Sequence, residues 1–201
     1  MNIYGEKIVL RAIEQEDNQM LLELINDPET EMQIGGYSWP ASMENQIKWF
    51  SQLNNNELIL RCTIAETVSN KPLGTLILNE IDKKNGTAHI HIKMAKGDTR
   101  GKGYGTDAVN TAVKYAFSEL RLNCIYANIL TYNTASIRLI EKCGFKKDGT
   151  LRSRIFKQGK YFDLYTYSII LSDWTHNVFS VERKELVMNE NGDVDCGKRN
   201  R

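Results

Sequence analysis

The segment RGKGYGTDA, residues 100–108, sets glycines at 101, 103 and 105 between an arginine and the start of an apolar helical period. Lacking Cβ atoms, these positions let the chain turn sharply and bring bare backbone up to a ligand. Beyond it Val109, Ala112, Val113, Ala116, Phe117 and Leu120 recur at three- and four-residue spacing, which predicts a long amphipathic helix. The first N–H groups of such a helix are unpaired and carry the positive end of its dipole, so a phosphate suits this place. Alone the signal is weak: an ordinary glycine-rich turn has the same letters, and GYGTDA also satisfies the GxGxxA of dinucleotide folds. That fingerprint belongs in a first βαβ unit, whereas an antiparallel meander is expected to precede it here. No GK[ST] follows to make a P-loop.

Upstream, 7–13 reads as a strand and 16–26 as an amphipathic helix with Leu21, Leu22 and Ile25 on one side, ended by NDP. Residues 28–42 read as an aromatic-bearing loop, and Ser42 opens a second helix carrying Ile47, Trp49, Phe50 and Leu53. Strands at 58–66, 73–81 and 86–94 are separated by TVSNKP and DKKNG, both rich in turn formers. Downstream, a strand at 124–132, a helix at 133–143 and a strand at 144–151 lead to a turn and a long last strand before Trp174. The expected organisation is one domain over 1–174 and a polar C-terminal extension over 175–201, poorly packed beyond about Met188.

The 201 residues carry 26 Lys and Arg against 25 Asp and Glu, so no charge excess points to nucleic acid or a membrane surface. No apolar run approaches the roughly 18 residues of a membrane span, and the charged start does not read as a signal peptide. Cys62, Cys124, Cys143 and Cys196 are scattered, with no CxxC and no nearby histidine, as in reduced thiols of a cytoplasmic protein.

Two blocks together identify a resemblance. Arg100, Gly103 and Gly105 match [RQ]-x-x-G-x-[GA], and NTASIRLIEKCGF at 133–145 matches N-x-x-[SA]-x-[RK]-x-x-E-K-x-G-F. In this order and spacing they resemble the GNAT superfamily of acetyl-CoA-dependent N-acetyltransferases. VLRAIEQED with NDPE near the start, and GKYFDLYTYSIIL near the end, resemble its RimJ/RimL-like branch, which includes acetyltransferases of protein N-termini. The resemblance spans about Lys7 to Trp174. It implies a twisted mixed α/β sheet, an antiparallel meander with one splayed parallel pair (86–94 and 124–132) and helices on both faces. It also implies acetyl-CoA as co-substrate, its pyrophosphate at Arg100, Gly101, Lys102, Gly103, Tyr104, Gly105 and Thr106. The pantetheine arm would lie along the strand ending at Met94, and Asn133 would meet the thioester. Asn133 also reads simply as a helix N-cap.

The catalytic positions depart from the family pattern. Many relatives carry tyrosine at position 140 to protonate the leaving thiolate; Ile140 cannot, and Ser136, one turn earlier, is the candidate in its place. Strand alternation puts His89 and His91 on one face, where relatives often have glutamate at 89. A histidine there suits a general base, its reference pKa of about 6.5 lying near working pH. It is equally read as a half-buried strand histidine; no third ligand is spaced for zinc, and no metal is expected. Glu80 is the alternative base. The acceptor wall is expected in the loop bearing Tyr37 and Trp39, with Trp49 as core. No acidic stripe there announces a polyamine. The expected function is direct transfer of acetyl to a primary amine (a protein N-terminus, an amino sugar or another small amine). The rival is a non-catalytic acyl-CoA-binding or regulatory module, which Ile140 favours. A homodimer is compatible with either.

Overall fold

The computed structural model describes residues 1–36, 39–53, 56–97 and 101–174. Its strands are β1 (Ile3–Tyr4), β2 (Ile8–Arg11), β3 (Leu60–Glu66), β4 (Pro72–Asp82), β5 (Thr87–Met94), β6 (Cys124–Leu130), β7 (Lys146–Lys157) and β8 (Lys160–Ile170). They form one sheet in the order β1-β2-β3-β4-β5-β6-β8-β7. Neighbours pair antiparallel, except that β5 and β6 run parallel. The helices are α1 (Asn18–Asn26), α2 (Pro28–Gln33), α3 (Met43–Ser51), α4 (Tyr104–Ser118) and α5 (Thr134–Lys142).

Alternation along β5 shows how the sheet divides its environments. Ala88 and Ile90 enter the main core with Ala108, Val109, Ala112, Val113 and Ala116 of α4. The alanines at 108, 112 and 116 recur every four residues, so α4 lies close against the strands. His91 and Lys93 point to the opposite face, toward α1 and α3. Helices thus cover both faces, as expected. The β4–β5 turn closes because the Asp82 carboxylate accepts the N–H of Lys84 at 2.8 Å and of Asn85 at 3.0 Å. Trp174, the last described residue, packs its ring 5.7 Å from that of Phe117 on α4.

The entry to α1 is fixed by a buried ion pair. Arg11 Nη1 and Nη2 reach the two oxygens of Asp17 at 2.8 and 2.9 Å, and Thr63 Oγ1 and the Glu14 N–H add bonds of 2.7 and 2.9 Å. Burial pushes the Asp17 carboxyl upward, but the hydrogen bonds from Arg11, Glu14 and Thr63 outweigh it and hold the group below its ordinary value.

Three expectations need correction. Residues 28–42 do not form a loop throughout, because Pro28–Gln33 is helical. Asp27 caps it through the Thr30 N–H at 2.8 Å with proline in its first turn, so the NDP that ends α1 also starts α2. β7 runs to Lys157 instead of ending at 151. That end is held by tertiary contacts: the Lys157 ammonium donates to Glu31 O, to the Glu31 carboxylate and to Gly36 O. A short β1, not expected, pairs with β2. Tyr37, Arg100 and the extension 175–201 lie outside the described residues.

Candidate active site

β5 and β6 pair only from Thr87–His89 to Cys124–Tyr126, yet continue to Met94 and Leu130. They diverge into a gap that opens toward their C-terminal ends and leaves main-chain polar groups without ladder partners.

The glycine loop stands beside that gap. Gly101 and Gly103 have φ of +76° and +85°, in the left-handed region that glycine enters without strain. Gly103 is the N-cap of α4, so Gly105 lies inside the first helical turn rather than in the loop. A Cβ on Gly105 would stand 3.6 Å from Leu139 of α5 and 3.9 Å from Ile92 of β5, and the Cys143 thiol lies 3.8 Å from Thr106 O. The two sequence blocks, some thirty residues apart, therefore meet in space. Two contributors escaped the sequence reading. Lys7 Nζ donates to Lys102 O at 3.2 Å, placing a cation on the loop, and Asp107 accepts the N–H groups of Glu6, Lys7 and Ile8. Both link residues about a hundred positions apart, and nothing local marks them. Lys102 is exposed, and the Tyr104 hydroxyl donates to Glu66 Oε1 at 2.5 Å. Met94, half-buried, ends β5 opposite Gly74, where a Cβ would fall 2.1 Å from Lys93 O.

Asn133 is 6% exposed; its Oδ1 accepts the Ser136 N–H at 3.0 Å and its Nδ2 donates to Gln33 O at 3.0 Å. It caps α5 and ties it to α2, an occupation that its amide already fulfils within the protein. Ser136 is half-buried at the start of α5, and its hydroxyl has no partner among the described residues. Ile140 is 3% exposed in the core and presents nothing to the gap.

At the apex of the gap a polar cluster crosses three strands. Glu80 sits in a bulge of β4 between the pairs at Asn79 and Asp82, with φ +52°, a conformation uncommon for any residue with a Cβ. Its Oε2 accepts the Tyr126 hydroxyl at 2.6 Å. The Tyr126 ring stacks on His89 with centroids 4.7 Å apart, and His91 lies 4.0 Å beyond. His89, 8% exposed, receives the Asn128 N–H on Nε2 at 3.3 Å, which places the ring proton of its neutral form on Nδ1. The imidazole therefore bridges the diverging strands with its lone pair engaged. Burial lowers its pKa, against the attraction of Glu80. His91, exposed at the chamber floor and bonded to Asn79 Oδ1 at 3.0 Å, is lowered to about 4 by desolvation from the surrounding protein and by His89. Desolvation and Glu80 raise the Tyr126 hydroxyl to about 12. Tyr126 and Asn128 were missed because their facing depends on the register between β5 and β6.

Next to the cluster is a chamber of about 350 Å³ between the sheet and α1 and α3. Leu21, Leu24 and Ile25 of α1 and Trp49 of α3 form its walls; Arg61, Thr75, Ile77, His91 and Lys93 form its floor. Trp49, expected as core, is 40% exposed and lines this space, and Trp39 is 76% exposed.

The low pKa of His91 has a consequence for stability. The unfolded chain binds its proton near pH 6.5, whereas the folded chain resists until about pH 4. Stability is therefore expected to fall as pH drops through this window and to level off below it. Urea midpoints measured from pH 7 to 4 should show a shallower slope in His91→Gln.

The sequence profile of the family described as acetyltransferase (GNAT) domain matches residues 7–146. The N-acetyltransferase p20 of Bacillus licheniformis, itself uncharacterised, is 30% identical over 174 residues, 86% of this chain and 97% of its own length. The spermidine N(1)-acetyltransferase of Vibrio cholerae is 27% identical over 85% of this chain and 96% of its own length. Among solved structures, the Vibrio cholerae spermidine N-acetyltransferase in complex with CoA and spermine superposes with a TM-score of 0.77 at 24% identity, covering 85% of this chain and 99% of that one. The microcin C7 self-immunity acetyltransferase MccE, in complex with acetyl-CoA and AMP, gives 0.72 at 23% identity over 83% and 94%.

Proposed function

This chain belongs to the GNAT acetyltransferase family, and from that premise we propose that it transfers acetyl from acetyl-CoA to a small primary amine held under α1 and α3. The observation that carries the reading is the parallel pair β5/β6 diverging beside a left-handed glycine loop at the start of α4. The residues present fit the cofactor. Unpaired N–H groups of the first turn of α4, with Lys7, suit a pyrophosphate, and the unpaired strand edges suit the amides of a pantetheine arm. Arg100 and Lys102 belong to the same proposed site, as do the main-chain groups of Gly101, Gly103, Tyr104, Gly105, Thr106 and Met94. The openings of the chain in VLRAIEQED and NDPE support a RimJ/RimL-like placement within the family.

Bound acetyl-CoA supplies a thioester carbonyl. Glu80 takes the proton that the amine sheds as its nitrogen bonds to that carbon, directly or through one water. Main-chain N–H groups along the gap polarise the carbonyl oxygen. Ser136 gives its hydroxyl proton to the departing sulfur and recovers one from solvent, so that the products are the acetamide and free CoA. His89 keeps the strands apart at the apex and positions Tyr126 against Glu80. Asn133 positions Ser136 through the cap of α5.

Free CoA release, measured with a panel of primary amines, tests the whole reading; release with none of them would leave a binding module. The cofactor site has a separate test. Gly103→Val puts a β-branched side chain in a left-handed position, with its methyls among the N–H groups that face the phosphates. Its Cβ would stand 3.6 Å from Lys7 Nζ, an ordinary contact, so the fold has room for it. The Kd for acetyl-CoA by calorimetry should rise about tenfold or more, a loss of roughly 1.4 kcal/mol, because the methyls crowd the phosphates; the backbone strain falls on stability instead. An unchanged Kd would remove the pyrophosphate from this loop.

A further inference from the structure

The chamber under α1 and α3 is charged in one sense only. Arg61 of β3 and Lys93 of β5 rise from its floor, and among the described residues no carboxylate lines it. Neither cation makes a hydrogen bond or an ion pair with another described residue. The field of the Glu31 carboxylate of α2 reaches Lys93; its Oε1 is paired with buried Lys157, and its Oε2 is buried without a hydrogen-bond partner among the described residues. The rest of the chamber is largely apolar, with Leu21, Leu24 and Trp49 in its walls.

Register fixes where these charges stand relative to the chemistry. Arg61 is level with Ile77, and Ile77 with His91, so Arg61 stands two strand spacings, about 10 Å, from His91. Lys93 lies four residues along β5 from His89, about 13 Å of strand away from Glu80 and the apex. Of the apex cluster His91 lines the chamber, so an amine that reaches the apex past His91 is separated from a group on these cations by the apolar wall. Resting on the acetyl-transfer reading above, we propose that the acceptor is an elongated amine whose far end carries a carboxylate or a phosphate, received by Arg61 and Lys93. An unpaired cation in a partly desolvated wall is costly until an anion meets it, and a second ammonium there would be repelled. Polyamines are thereby disfavoured.

The test uses one skeleton with four ends: 8-aminooctanoate, 8-aminooctyl phosphate, octylamine and 1,8-diaminooctane. Calorimetry on the protein–CoA complex should show an anionic form binding about tenfold more tightly than octylamine, with the diamine weakest. The two anionic arms decide between carboxylate and phosphate. Arg61→Met and Lys93→Met, singly and together, with folding checked by thermal melts, should bring the anion-to-methyl ratio toward one. A diamine that binds as well as the anions, or a ratio that survives in both single variants, overturns the proposal. CoA release read on the same four amines separates the two levels. Turnover without anion preference leaves acetyl transfer standing and removes the anion site. Anion preference in binding with no turnover retains the site and removes the transfer.

Discussion

Glu80→Gln is expected to lower kcat/KM by about 10²- to 10⁴-fold, the usual contribution of a positioned base, while the Kd for acetyl-CoA stays where it was. The carboxylate stands in a β4 bulge with φ +52° and accepts the hydroxyl of Tyr126, whose ring stacks on His89. Glutamine keeps an oxygen for the Tyr126 hydroxyl at nearly the same shape, so the bulge should survive and only the proton acceptor is lost. The loss should fall on kcat and kcat/KM together, the mark of a group acting in the transition state. His89 is expected to behave differently, because its Nε2 is occupied by the Asn128 N–H. His89→Gln should weaken activity through the geometry of the gap and leave the shape of the pH profile in place. A fully active Glu80→Gln with a lost acid limb in His89→Gln would return the base to the histidine.

Asp17→Ala is expected to lower stability by about 3 kcal/mol, measured by urea unfolding, because it removes the buried member of the pair and strands a partly buried partner charge. Arg11 would keep Asn70 Oδ1 and Ala12 O but lose both carboxylate oxygens, and Thr63, fully buried, would lose its acceptor. That is a large share of the roughly 5–15 kcal/mol by which domains are stable. The pH dependence carries the sign. Since the folded carboxyl titrates below its unfolded value, its contribution is complete above about pH 4 and is lost as pH falls further. This acid-side loss should be smaller in Asp17→Ala. Because Asp17 immediately precedes α1, whose Leu21 and Leu24 wall the chamber, the variant is also expected to raise KM for the amine.

The glycine loop, the long helix after it and the strands of the meander were legible because each rests on a local signal. A left-handed turn needs Gly101 and Gly103, and a helix buried on one side needs apolar residues at its own period. The pairing of two spaced blocks identified the family, and strand alternation placed His89 and His91 on one face. The site's inner workings were not local. Whether His89 acts as a base depends on what meets its Nε2, and that is a main-chain group of the next parallel strand, 39 residues on. Glu80 gained its position from a bulge, and its partner Tyr126 from the register of β5 against β6. Lys7 and Asp107 reached the glycine loop and the β2 entry through folding alone. Alternation tells which way a side chain points along its own strand. Only the packed sheet, where neighbours come from distant parts of the chain, decides what that side chain touches and so what chemistry remains open to it.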